Sequence, residues 1–144
     1  MKTGLFRIGS TLFAAISLVA VYFAAESWHL NATSAQARDL VTTASTALLR
    51  EGNRDVLISF VDSPSTFAMP DLEFLPRFQQ LLAMDPPSGE ISMPPLFSST
   101  PGRASLGMRA HFSYGTADIQ AELEYREGAW RLLRYELTPG LGVM

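Results

Sequence analysis

Between Tyr114 and Leu137 the chain reads YGTADIQAELEYREGAWRLLRYEL, an alternation of apolar and polar residues interrupted once, at Glu127-Gly128. A period of two sends successive side chains to opposite faces, which a helix cannot do, so this stretch predicts two strands joined by a tight turn. Ile119, Ala121, Leu123 and Tyr125 fall on one face, against Asp118, Gln120, Glu122 and Glu124. In the last strand Leu133, Tyr135 and Leu137 take one side, and Trp130, Leu132, Arg134 and Glu136 the other. Upstream, RASLGMRAHFSYG sets Ala104, Leu106, Met108, Ala110, Phe112 and Tyr114 against Ser105, Gly107, Arg109, His111 and Ser113. With a second turn expected at Gly115-Thr116, the three strands predict an antiparallel meander.

The residues before the meander carry a helix period. Ala37, Leu40, Val41, Ala44, Ala47 and Leu48 recur at helical spacing between Ser34 and Gly52. Ser34 is a cap residue type, and Gly52 suits the left-handed position after a helix. The same helix is also free to run on directly from the segment before it, through Asn31-Ala32-Thr33. Asn53 offers a further cap, followed by a short helix with Leu57, Phe60 and Val61 inward, stopped at Ser63-Pro64. Helices first and strands last predict an α+β fold, with the helices packed on one face of a curved antiparallel sheet.

Eight of the nine prolines lie between Pro64 and Pro101. Irregular structure is expected there, with one helix near Pro76–Met84 and an edge strand in GEISMPPLF. The segment is apolar for a loop. Phe67, Met69, Leu72, Phe74, Met93, Leu96 and Phe97 either fold over the core or present a surface for a partner, since Met and aromatic side chains favour adaptable interfaces.

The amino terminus reads as an address. Lys2 and Arg7 precede an uncharged run from Ile8 to Ala25, and Glu26 follows it. Eighteen helical residues span about 27 Å, close to a bilayer's apolar thickness of about 30 Å. Charge asymmetry predicts a single-pass helix in the inner (cytoplasmic) membrane, amino terminus inside and domain outside, with Tyr22 and Trp28 at the outer headgroups. The alternative is a signal peptide cut near Ala37, giving a secreted protein. The organisation expected is an anchor or signal segment over 1–30, a domain over 31–139 with a Pro-rich insertion at 64–101, and a tail at 140–144.

The order helix, GNRDVLISFVDSP, Pro-rich linker, then strands ending REGAWRLLRYEL resembles the NTF2-like (cystatin-like) α+β cone superfamily. It is most similar to small bacterial extracytoplasmic domains that follow one membrane segment. Gly52–Pro64 resembles that family's second helix, FSYGTADIQAEL its central hairpin and REGAWRL its final strand. The family's glycine-aspartate motif is interrupted here by Asn53-Arg54. The resemblance implies a half-open cone, lined by Met108, Phe112, Tyr114, Leu123 and Tyr135, and homodimers in many members. Enzymes of the superfamily place a carboxylate or His inside the cone beside a Tyr, which would make Asp62, His111, Tyr114, Asp118 and Tyr135 the residues to inspect.

Alternation argues against catalysis at most of those positions; Tyr114 and Tyr135 are expected to point inward, as core residues with bonded hydroxyls. His111 and Asp118 fall on the polar faces of their strands, where Asp118, Glu122 and Glu124 meet Arg109, Arg131 or Arg134 as an exposed charge ladder. Asp62 precedes Ser63-Pro64 as a helix-end residue. With no cysteine and two histidines, His29 and His111, the chain offers no metal-ligand spacing. No phosphate loop, dinucleotide fingerprint or nucleophile elbow occurs, and no cofactor is expected. Beyond Arg7, nine basic side chains face fourteen acidic ones, which excludes nucleic acid as a partner. The expectation is a non-catalytic, membrane-anchored extracytoplasmic domain serving as an accessory or assembly subunit for a protein in the same membrane or envelope. The alternative is a periplasmic or secreted cone that binds a small apolar molecule.

Overall fold

A computed structural model describes residues 2–95 and 99–140, without the side chains of residues 2–17, 23, 26 and 27. The chain divides into two units, Met1–Thr33 and Ser34–Met144. Helix α1 covers Lys2–Glu51, so the division falls within it and Ser34 does not act as a cap. The Thr33 hydroxyl donates back to the His29 and Leu30 carbonyls, a bond that a threonine makes without leaving the helix. Among the described residues no helix is long and apolar enough to cross a membrane; within the run Ile8–Ala25 the side chains of residues 8–17 and 23 are not described.

The second unit is α+β with a five-stranded antiparallel sheet. Gly52, at φ 66°, stops α1, and the Asn53 side chain accepts the Asp55 N–H at 3.0 Å to start α2, Arg54–Ser59. The helix expected over Pro76–Met84 is only one turn, α3, Leu75–Phe78. From Leu81 the chain is instead strand β1, Leu81–Met84, because its backbone finds partners on Phe112, His111 and Ala110. Strand β2, Ser88–Ser92, ends before Pro94-Pro95 and lies on a sheet edge, where the prolines cost no ladder bond.

Strand β3, Gly102–Phe112, is the spine. One edge pairs with β4, Gly115–Arg126, and the other is shared by β1 and β2. Strand β5, Ala129–Pro139, closes the order β1-β3-β4-β5. Two turns refine the expectation. Glu127 at φ 56° and Gly128 at φ 80° form the left-handed two-residue turn of a hairpin. The first turn falls at Ser113-Tyr114 rather than Gly115-Thr116, since Gly115 and Thr116 already pair with Phe112 and His111. The Ser113 and Tyr114 N–H groups donate to the Gln80 and Phe78 carbonyls, tying that turn to the Pro-rich segment.

A register shift on β5 revises the facing of its side chains. Leu123 pairs with Leu132 and Glu122 with Arg134, so Leu133 is an inserted residue with no partner on β4. The bulge returns the strand to the same face: Trp130, Leu132, Tyr135 and Leu137 are all buried, and Leu133 is half-buried. The four buried residues join one core with Leu106, Ile119, Leu123, the Val41–Leu48 stripe of α1 and Leu57 of α2. The Trp130 ring packs edge-on against Tyr125, with centroids 5.2 Å apart.

Candidate functional site

The expected cone lining is an occupied interior. Met108, Phe112, Leu123 and Tyr135 are all buried, Leu123 completely. The Pro-rich segment supplies the cover. Phe78 lies 5.9 Å from Phe112 between ring centroids, and Phe74 packs edge-on to Phe78 at 5.2 Å. Tyr114 is a correction: it is 65% exposed, because the two-residue turn lifts it out of the strand before its alternation would carry it inward.

A polar contact lies within this interior. Ser45 Oγ and the Tyr135 hydroxyl are 2.8 Å apart, both residues buried, and they join α1 to β5. Burial pushes the Tyr135 phenol up to about 12, with the Ser45 hydrogen bond acting in the opposite direction. Such a group stays neutral through the physiological range and acts as neither base nor nucleophile there. Among the described residues, the buried polar side chains besides Tyr135 are Thr33 and Ser45, so no carboxylate or imidazole lies inside. Sequence reading missed this pair. Its signal was a small hydroxyl, Ser45, beside Ala44 on an apolar stripe, opposite a Tyr on an inward row.

The carboxylates and the imidazole that the enzyme reading would need are elsewhere, each with a polar partner on the surface. His111 Nε2 is 3.0 Å from Asp85 on the outer side of the sheet. Arg109 Nε donates to Asp118 at 2.8 Å; that hydrogen bond, then the Asp118 charge, raises the guanidinium above its ordinary value. Asp62 accepts from Arg126 and lies 3.9 Å from Arg131. Its own N–H donates to the Leu132 carbonyl. Asp62 therefore fastens the end of α2 to the last hairpin. Arg103–Glu124 and Arg134–Glu136 complete a surface of alternating sign, of which Arg109–Asp118 is the cross-strand contact the sequence predicts. Among the described residues no cluster of three His, Asp or Glu is placed to hold a metal ion.

The candidate partner residues divide. Phe67, Leu72, Phe74 and Met93 are half-buried against the core, whereas Met69 is 36% exposed. Leu96 and Phe97 lie outside the described residues. Surface recesses border the sheet. One of about 280 Å³ has Glu90, Arg103 and Glu122 in its wall. Another, of about 480 Å³, lies between Phe74 and Arg77 and the end of β5 at Leu137–Pro139. In the first unit, Tyr22 and Trp28 are exposed, as are Leu18, Val19 and Val21.

No protein-family model, no curated protein and no solved structure matches the chain.

Proposed function

We propose that this protein is a membrane-anchored extracytoplasmic binding domain, a non-catalytic accessory or assembly component of an envelope complex. The observation that carries the reading is the separation of its surfaces. Apolar side chains and one neutral hydroxyl pair fill the interior, while the ionisable groups of the sheet lie on its outer face and rims. A domain so built has its recognition chemistry outside. The uncharged run Ile8–Ala25 behind Lys2 and Arg7, with exposed Tyr22 near its end and exposed Trp28 after it, supports an anchor with the amino terminus inside. Confinement to one membrane raises the effective concentration of a partner there without any added contact. The α+β arrangement of helices on one face of an antiparallel sheet is compatible with the NTF2-like cone, which we retain as part of this proposal.

The test is to solubilise native membranes in a mild detergent, size the particle that contains the chain and identify its contents by mass spectrometry. A particle with defined protein partners is expected. A lone chain, or one co-purifying with a stoichiometric small apolar molecule, would overturn the reading.

A further inference from the structure

We draw no further inference here: the strongest candidate, the recess of about 280 Å³ on the outer face of the sheet where Glu90 and Glu122 stand on either side of Ser105, is walled by exposed carboxylates, and nothing in the structure shows what covers it.

Discussion

The meander β3–β5 and the Pro-rich segment 64–101 are built of similarly apolar residues, yet they do different work. In the meander each apolar residue has a fixed address, because a period of two and an antiparallel ladder leave no other face for it. In the Pro-rich segment no period exists, and its apolar residues are distributed by opportunity: Phe78 and Leu81 are buried, Phe67 and Phe74 half-buried, Leu82 is 61% exposed. The meander specifies the core, and the segment covers it. The core should therefore depend on individual meander residues far more than on individual cover residues.

Truncating a central meander residue should have the largest effect. Leu123→Ala, at a fully buried position, should cost about 2–5 kcal/mol in chemical denaturation of the full chain. Phe67→Ala should cost clearly less, and equal losses would break the comparison. Next comes the buried hydroxyl pair. Tyr135→Phe leaves the Ser45 hydroxyl without its partner and should cost about 1–3 kcal/mol, much of which the double variant with Ser45→Ala should recover. Its pH dependence has a definite sign. Burial holds the folded phenol at about 12, against an ordinary value of 10.0, so its contribution is intact below pH 10. It is lost as pH rises towards 12, because the unfolded chain releases that proton first. Alkaline titration of stability should show this slope in the wild type and less of it in Tyr135→Phe.

Smaller effects follow at the local signals. Asn53→Ala removes the acceptor that starts α2 and should cost about 1 kcal/mol. Gly128→Ala places a side chain at φ 80° and should cost a similar amount, about 1 kcal/mol. Arg109→Ala should be the mildest, about 0.2–1 kcal/mol and reduced further by salt, since its pair with Asp118 is solvent-exposed. A large loss there would mean that the outer face is part of the core's support rather than a surface.

The parts legible in the sequence were those fixed by local chemistry. Period two located β3 and β4, Asn53 and Gly52 bounded the helices, and Glu127-Gly128 placed the last turn. What escaped depended on distant partners. Leu81–Met84 looks helical until β3 offers it an edge, and nothing local distinguishes Leu133 as the residue that bulges. Tyr114 continues its strand's alternation in sequence, but the ladder closes at Phe112 and Gly115 and leaves it in the turn. At the candidate site the charge ladder was readable from alternation. The Asp85 partner of His111 and the Arg126 partner of Asp62 were not, because each lies across the fold.

The central claim is that the domain acts outside a membrane while still attached to it. The most direct measurement takes sealed cells or vesicles, extracts them with alkaline carbonate, and combines protease accessibility of the domain with mass spectrometry of the amino terminus. The account predicts a carbonate-resistant chain that retains residues 1–30 and whose domain is digested from outside. A carbonate-soluble chain beginning after Ala37, or a domain protected until the membrane is opened, would contradict it.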